Sequence, residues 1–160
     1  MFAVTQVSRL FYPNADLDYP DLNLMDSNSI KDMYPKVKFG KNVMIGKDVK
    51  IGNDSFIGTN SIIESKVEIG SDCIIGSSVV LKNALISNNV NIQDGCKIGI
   101  KGFGFIPIPE KNLRIPHTGN VIIEEGVEIG ANSTIDRGSL SNTFIGKNTF
   151  IDNQVHIAHN

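Results

Sequence analysis

The sequence predicts an all-β fold, a parallel β-helix built from six-residue units. From Phe39 onward a bulky apolar residue recurs at every sixth position, and glycine often follows it directly. Self-similarity at so short a period is the sequence pattern of a β-helix, in which each unit forms one short strand and a turn. The unbroken part of this ladder consists of Phe39, Ile45, Ile51, Ile57, Ile63, Ile69, Ile75 and Leu81. After steps of other lengths the ladder continues at Ile86, Ile92, Ile98, Ile123, Ile129, Ile135, Ile145, Ile151 and Ile157.

Three consecutive units make one coil of a triangular prism, so each ladder residue can be assigned to one of three faces. Face one contains Met33, Ile51, Ile69, Ile86, Ile123 and Ile145. Face two contains Phe39, Ile57, Ile75, Ile92, Ile129 and Ile151. Face three contains Ile45, Ile63, Leu81, Ile98, Ile135 and Ile157.

All breaks in the six-residue period follow a face-three strand. The step after Leu81 is one residue short, an insertion of about nineteen residues follows Ile98, and one of about four follows Ile135. Irregular backbone should therefore leave the prism at a single corner. Loops held on a rigid scaffold are where functional sites tend to form, so this corner is the predicted site.

Composition and charge exclude several classes of function. The 160 residues leave room for one domain and part of a second, and the net charge of −2 gives no electrostatic basis for binding nucleic acid. No apolar run is long enough to span a membrane, and residues 1–13 lack the pattern of a secretory signal. We therefore expect a cytoplasmic protein without a membrane span.

The two cysteines are predicted to be core residues. Cys73 and Cys96 each precede a ladder isoleucine by two positions, a place that valine takes in most other units. Because side chains alternate along a strand, this place also points inward. We expect both thiols to fill the core and to take part in neither a disulfide nor a metal site.

The N-terminal part of the chain follows a different pattern. Val4, Val7, Leu10 and Phe11 recur at helical spacing before Pro13, which predicts a short amphipathic helix within residues 1–13. Residues 14–32 are acidic and irregular and are predicted to be a linker. The β-helix should then occupy residues 33–160, with a loop insertion at 100–120.

Charged and polar side chains gather at the predicted corner. His159 lies two positions after a face-three ladder residue, Arg137 takes the same place one coil below, and Asp136 precedes Arg137. Since adjacent coils lie about 4.8 Å apart, these groups should be near neighbours. His159 is therefore the candidate catalytic residue, and His156, which faces outward on the last strand, is its competitor.

Two further hypotheses concern the long insertion. His117 could join His156 and His159 as a third zinc ligand, because three histidines are a known zinc donor set. Phe103 and Phe105, each preceded by glycine, either form a lid or apolar wall for a ligand or fold back onto the prism.

From about Ile98 onward the chain contains a characteristic series of short segments. They are 102–105 (Gly-Phe-Gly-Phe), 115–116 with Gly119, 127–132 (Val-Glu-Ile-Gly-Ala-Asn), 134–138 (Thr-Ile-Asp-Arg-Gly), 152–154 (Asp-Asn-Gln) and 157–160 (Ile-Ala-His-Asn). In these segments the chain resembles the UDP-3-O-acylglucosamine N-acyltransferases of bacterial lipid A biosynthesis. The Ile-Asp-Arg-Gly run and the order of the later motifs are the most specific part of this resemblance.

The resemblance implies a left-handed β-helix, an exception to the usual right-handed crossover, and a homotrimer with active sites between prisms. It implies a 3-hydroxyacyl donor on the phosphopantetheine arm of acyl-carrier protein, UDP-3-O-acylglucosamine as the acceptor, and no further cofactor and no metal. The histidine of the Ala-His-Asn motif, here His159, would be the general base. His156 stands where the family commonly has glutamine and would line the site. The other candidate substrate-binding residues are Asn153, Gln154, Asp136, Arg137, Phe103 and Phe105.

The proposed chemistry suits a histidine. The acceptor amine loses a proton as it attacks a thioester carbonyl, and a neutral imidazole can take that proton near neutral pH. The thioester is already activated, so direct transfer needs no nucleophilic cysteine or serine.

The chain also departs from the family pattern. The family has an N-terminal uridine-binding domain, of which residues 1–13 would be the last helix, and it continues for several coils past the Ala-His-Asn motif. We therefore expect an internal fragment that is marginally folded and inactive by itself. The competing functions are another hexapeptide enzyme, either a sugar O-acyltransferase or a β-helical zinc carbonic anhydrase, and a non-catalytic scaffold.

Overall fold

The computed structural model describes residues 2–13, 15 and 17–160. Its helices are α1 (Phe2–Phe11), α2 (Ser27–Ile30) and a 3₁₀ helix (Lys31–Met33). The strands of the described residues, in chain order, are β1 (Met25–Asp26), β2 (Lys38–Phe39), β3 (Met44–Ile45), β4 (Lys50–Ile51), β5 (Phe56–Ile57), β6 (Ile62–Ile63), β7 (Glu68–Ile69), β8 (Ile74–Ile75), β9 (Val80–Leu81), β10 (Ala84–Ile86), β11 (Asn91–Ile92), β12 (Lys97–Lys101), β13 (Phe105–Ile108), β14 (Lys111–Arg114), β15 (Val121–Ile123), β16 (Glu128–Ile129), β17 (Thr134–Arg137), β18 (Thr143–Ile145), β19 (Phe150–Ile151) and β20 (His156–Ile157).

Three sheets form the faces of a prism. Their strand orders are β1-β3-β6-β9-β12-β17-β20, β2-β5-β8-β11-β16-β19 and β4-β7-β10-β15-β18, and all neighbours are parallel except β1 and β3. On face three Ile98 pairs with Leu81 below and Ile135 above, and Ile135 pairs with Ile157. The predicted fold class is confirmed, and the ladder residues from Phe39 onward lie on the predicted faces.

The core is a column of stacked ladder residues together with the residues two positions before them. Cys73 and Cys96 belong to this column and are fully buried and unpaired, and burial raises the pKa of both thiols. Serine replaces valine in some units. The Ser61 hydroxyl, for example, donates to the Gly76 carbonyl at 2.8 Å and accepts from the Val79 amide at 3.1 Å. A buried serine with both roles satisfied costs little in this position.

Each regular corner of the prism, where no insertion leaves it, is a tight turn with a left-handed residue. Asp48 has φ 58° and Asn60 has φ 61°, a conformation that Asp and Asn tolerate better than most residues. The glycine after a ladder residue has a different cause, close approach of the next coil. A Cβ on Gly58 would lie 2.4 Å from the backbone carbon of Gly76. The repeated glycine therefore sets how closely successive turns stack.

The lower end of the β-helix differs from the prediction. Met33 is not a ladder residue, because it lies in the 3₁₀ helix with 70% of its surface exposed. Tyr34 instead packs against the core and donates its hydroxyl to the Val49 carbonyl at 2.8 Å. Ile30 of α2 is also part of the core. The C-terminal part of the predicted linker thus closes the bottom of the prism, where β1 also pairs antiparallel with β3.

The N-terminal helix forms where it was predicted, but its buried side is not its apolar side. Val7, Leu10 and Phe11 are exposed, whereas Thr5 is buried. Arg9 attaches the helix to the long insertion by donating to the Arg114 carbonyl at 3.1 Å. Among the described residues no helix is both long and apolar enough to cross a bilayer.

The two insertions meet at the corner after face three, as predicted. Strand β12 continues past Ile98 through a bulge at Gly99, and the chain then forms the antiparallel hairpin β13–β14. The base of this first insertion bonds to the second insertion, since the Thr118 amide donates to the Ser139 carbonyl at 2.7 Å. The two excursions are therefore one structural unit on the prism.

We predict that Gly58→Ala lowers the free energy of unfolding by about 1–3 kcal/mol, because the new Cβ overlaps the backbone of the next coil. Gly146→Ala is the matched control, since a Cβ there meets no atom closer than 3.9 Å. Urea unfolding followed by circular dichroism measures both. Equal stability of the two variants would show that glycine does not set the coil spacing.

Candidate functional site

His159 lies two residues after the end of β20, at the corner from which the insertions leave. Gly102 of the first insertion packs against its ring, so closely that a Cβ on Gly102 would lie 2.4 Å from His159 Cδ2. The sequence placed this histidine beside the Gly-Phe-Gly-Phe segment, and the structure has that arrangement. The glycine at position 102 is required by the ring beside it.

His117 forms the second half of a histidine pair. Its ring centroid is 4.8 Å from that of His159, with the ring planes at 82°, and the residue is fully buried. His117 Nδ1 is 3.0 Å from the Ile115 carbonyl oxygen, which can only accept, so Nδ1 carries the proton. The other nitrogen, Nε2, is buried without a hydrogen-bond partner among the described residues.

Burial is also the main reason why the pKa of His117 lies below its ordinary value. The bond to Ile115 works in the opposite direction, and the nearby His159, Arg137 and Lys101 lower the pKa further. His117 is therefore neutral near neutral pH, with its lone pair on Nε2.

Asn160 fixes the opposite side of the His159 ring. Its Oδ1 accepts from the Ser139 amide at 3.0 Å and from the Ser139 hydroxyl at 3.1 Å, which orients the side-chain amide. Asn160 Nδ2 therefore donates to His159 Nδ1, at 3.1 Å. In this arrangement Nδ1 is the unprotonated nitrogen of neutral His159.

A mainly apolar pocket of about 150 Å³ adjoins this histidine pair. Helix α1 supplies one wall, the end of the first insertion a second, and the second insertion a third. The lining residues are Val4, Thr5, Ser8, Gly104, Ile115, Pro116, His117, Ser139, Leu140, His159 and Asn160. A polar reacting group held here would lie in a largely desolvated space.

Asp136 and His156 form a separate pair on the same face. Asp136 Oδ2 is 3.8 Å from His156 Nε2, and His156 Nδ1 is 2.7 Å from the Thr134 hydroxyl. Asp136 is almost fully buried, which raises the pKa of its carboxyl, while His156 and, less strongly, His159 lower it. The carboxylate expected beside His159 is thus paired with the competing histidine.

Arg137 supports the insertion and does not contact His159 through any hydrogen bond of the described residues. Its Nε donates to the Gly119 carbonyl at 2.6 Å. Burial lowers the pKa of its guanidinium, and the charge of Asp18 opposes that effect. Asp18 Oδ1 also lies 3.4 Å from Nζ of buried Lys82, which is 3.2 Å from Glu64 Oε1, an ion-pair cluster that sequence reasoning missed.

Phe103 and Phe105 are not among the residues that line the pocket beside the histidines. Phe103 and Phe105 pack edge to face at 5.6 Å, and the Arg114 guanidinium lies 5.4 Å from the Phe103 ring centre. Phe103 is 75% exposed, so it does not fold back onto the prism. In the Gly-Phe-Gly-Phe motif the glycines thus contact the histidines, and the phenylalanines remain available to a ligand. Their role as a lid or apolar wall stays a prediction.

Asn153 and Gln154 lie at the other end of β20 from His159. The Asn153 side chain accepts from the Ala131 amide at 2.7 Å, and Gln154 occupies the left-handed turn position with φ 58°. Both residues therefore take part in the stacking of turns. Their substrate-binding role, which came from the resemblance, stays a prediction.

The three histidines of the zinc hypothesis are not brought together as a ligand set. Across residues 2–13, 15 and 17–160, no group of three or more His, Cys, Asp or Glu side chains is placed to hold a metal ion. His117 instead faces His159, and His156 bonds to Thr134.

The part of the site that sequence reasoning missed is the pair of contacts around His159. His117 had been considered only as a metal ligand, and Asn160 only as part of a motif. The insertion has no repeat, so its sequence gives no measure of which residues point inward. The one available signal was the two glycines at positions 102 and 104, which mark close backbone approach to another group.

Comparison with known proteins supports the resemblance. The family model described as bacterial transferase hexapeptide (six repeats) matches residues 48–83, and the one described as hexapeptide repeat of succinyl-transferase matches residues 120–138. The UDP-3-O-acylglucosamine N-acyltransferase of Bradyrhizobium diazoefficiens is 57% identical over 72 residues, which are 44% of this chain and 20% of that protein. That of Synechocystis is 52% identical over 65 residues, which are 41% and 19% of the two chains. The resemblance is confirmed over the aligned segment, and the chain spans about a fifth of the length of these relatives.

Solved structures agree in fold. The crystal structure of AntD, an N-acyltransferase from Bacillus cereus in complex with dTDP and 3-hydroxybutyryl-CoA, covers 86% of this chain and 80% of its own, with 24% identity and a TM-score of 0.50. WeeI from Acinetobacter baumannii covers 75% of this chain and 50% of its own, with 19% identity and a TM-score of 0.54. At these identities the likeness concerns the fold alone.

We predict that Gly102→Ala displaces the His159 ring, because no space exists for a methyl group between Gly102 and the two histidines. The imidazole resonances of His117 and His159 should shift together in an NMR spectrum. Gly146→Ala serves as the control and should leave them in place. Unchanged resonances in the Gly102 variant would contradict the packing described here.

We predict that His117 makes the protein less stable in mild acid. The unfolded chain binds a proton at this residue near its ordinary pKa of about 6.5, while the folded chain does so only at lower pH. Stability should therefore fall as the pH drops below about 6.5 toward the lowered folded pKa.

The comparison for this test is His117→Gln, which cannot titrate. Urea unfolding between neutral pH and pH 5 should show a smaller acid-induced loss of stability in the variant. An identical pH dependence of both proteins would contradict the prediction.

Proposed function

We propose that the chain carries the catalytic histidine of an N-acyltransferase, which moves a 3-hydroxyacyl group from acyl-carrier protein to the 2-amine of UDP-3-O-acylglucosamine in lipid A biosynthesis. The observation that carries this proposal is the position of His159. Its ring borders an apolar pocket at the insertion corner, and His159 belongs to the Ala-His-Asn motif on which the resemblance rests.

In the proposed reaction His159 is the general base. The amine lone pair forms the new C–N bond with the thioester carbonyl carbon, and the amine proton passes to the imidazole. The C–S bond then breaks, and the departing thiolate of the carrier arm takes the proton back. A positioned base of this kind contributes about 10²–10⁴-fold to the rate.

The surroundings of His159 suit this role. The apolar lining of the pocket keeps water from competing with the amine for the thioester, and it favours a neutral amine over an ammonium ion. The exposed Phe103 and Phe105 offer an apolar surface on the first insertion for an acyl chain. Asp136, Arg137, His156, Asn153 and Gln154 are proposed to line or support the substrate site.

The assembly and donor belong to the same proposal. A homotrimer would place the outer surface of one prism against this corner in its neighbour, and the carrier protein would deliver the acyl group there. The co-substrate is the acyl-phosphopantetheine arm of that carrier, and the protein would act in the cytoplasm.

The test is a graft. In this hybrid protein, residues 98–160 replace the corresponding segment, bounded by the same motifs, of the Bradyrhizobium diazoefficiens relative. N-acyl transfer is then measured with an acylated acyl-carrier protein as the donor and UDP-3-O-acylglucosamine as the acceptor. We predict that the graft is active and that His159→Ala lowers kcat by about 10²–10⁴-fold.

The control for the graft is Lys147→Gln, a change on an exposed side chain that pairs with exposed Glu125. It should retain full activity. An active graft whose rate does not depend on His159 would overturn the proposed mechanism. Transfer to an acceptor with a hydroxyl in place of the amine, at equal rate, would favour the O-acyltransferase alternative.

A further inference from the structure

The buried nitrogen of His117 is the one feature of the site that the proposed reaction leaves unexplained. A buried acceptor without a partner costs about 1–3 kcal/mol, so a folded protein normally satisfies it. His117 Nε2 is such an acceptor among the described residues, and the bond from Nδ1 to Ile115 fixes its lone pair in place.

This lone pair lies on the side of the ring that faces His159. The position of a Cβ on Gly102 would be 2.7 Å from His117 Nε2, 2.4 Å from His159 Cδ2 and 2.9 Å from His159 Cγ, so His117 Nε2 lies near the Cδ2 side of the His159 ring. In an imidazole ring Cδ2 is bonded to Nε2. His159 Cδ2 is therefore one bond away from the nitrogen that carries the proton when Nδ1 accepts from Asn160.

The hydrogen bonds on both sides of His159 share one donor-to-acceptor direction. The Ser139 amide donates to Asn160 Oδ1, Asn160 Nδ2 donates to His159 Nδ1, and His117 Nδ1 donates to Ile115. A His159 Nε2–H directed at His117 Nε2 would complete this chain without an unmatched donor or acceptor. The two rings lie edge to face with their centroids 4.8 Å apart, and this bond requires them to rotate relative to each other.

We propose that His117 is a positioning residue that selects the basic nitrogen of His159: its buried Nε2 accepts the His159 Nε2–H, leaving Nδ1 to take the substrate proton. Substrate amine then replaces the Asn160 amide at Nδ1. When His159 becomes an imidazolium the bond to His117 becomes charge-assisted and stronger, so it stabilises the transition state more than the ground state. This inference rests on the proposed role of His159 as base.

The primary test is ¹⁵N NMR of the full 160-residue chain with labelled histidine, which needs no turnover. We expect His159 to be protonated at Nε2 and unprotonated at Nδ1 in its neutral form. We also expect a through-hydrogen-bond ¹⁵N–¹⁵N coupling between the Nε2 atoms of His159 and His117. A His159 protonated at Nδ1, or the absence of the coupling, overturns the proposal.

Variants at position 117 distinguish the role of His117 as a hydrogen-bond acceptor from its role in packing against His159. His117→Phe keeps an aromatic edge beside His159 but removes the lone pair, and it should convert His159 into a mixture of tautomers. His117→Gln supplies an amide oxygen as acceptor and should preserve the wild-type tautomer. His156→Phe is the matched control, which should retain both the tautomer and the coupling. Equal His159 spectra in the Phe and Gln variants would overturn the proposal.

In the active graft His117→Phe should lower kcat roughly 10–100-fold with little change in KM, whereas His117→Gln stays near the parent. A graft without acyl transfer overturns the proposed function, while the NMR result still decides whether His117 pairs with His159. An active graft in which His117→Phe leaves kcat unchanged overturns the positioning role alone.

Discussion

The stacking of one coil directly on the next is the constraint on which the rest of the structure depends. Parallel pairing holds each ladder residue above its counterpart, as in the column of Leu81, Ile98, Ile135 and Ile157. The apolar core, the left-handed turn residues and the glycines at the corners all follow from this repeat. The repeat also fixes where an insertion must leave the prism, and so the location of the site.

The regular coils and the insertions position His159 in two different ways. The strand β20 sets the height and direction of His159, because its partner β17 is held in register by the coils below. The insertions then supply what a regular coil cannot, a buried neighbour and an enclosed pocket. Gly102 connects the two parts, since its bare backbone lets the insertion close against the ring. The catalytic proposal therefore depends on packing as much as on the identity of the histidine.

The sequence was sufficient to predict the repeating part of the fold, but it did not predict the structure where the repeat ends. The six-residue period predicted the three faces, the buried cysteines and the corner with His159, because in a β-helix position in the period decides direction. The period gave a wrong prediction at Met33. There Tyr34 and Ile30 close the end of the core, and neither residue lies at a position of the six-residue repeat. It also could not show that α1 buries Thr5, since the docking surface is formed by the distant insertion. His117 was hidden for the same reason: its burial comes from how a non-repeating loop folds back on the prism.

The central claim is that the insertion corner holds the reacting amine beside His159. A crystal structure of the graft with bound UDP-3-O-acylglucosamine measures this directly. The account predicts the sugar amine within hydrogen-bond reach of His159 Nδ1, about 2.6–3.2 Å. An amine bound at a different corner of the prism, out of reach of this ring, would contradict it.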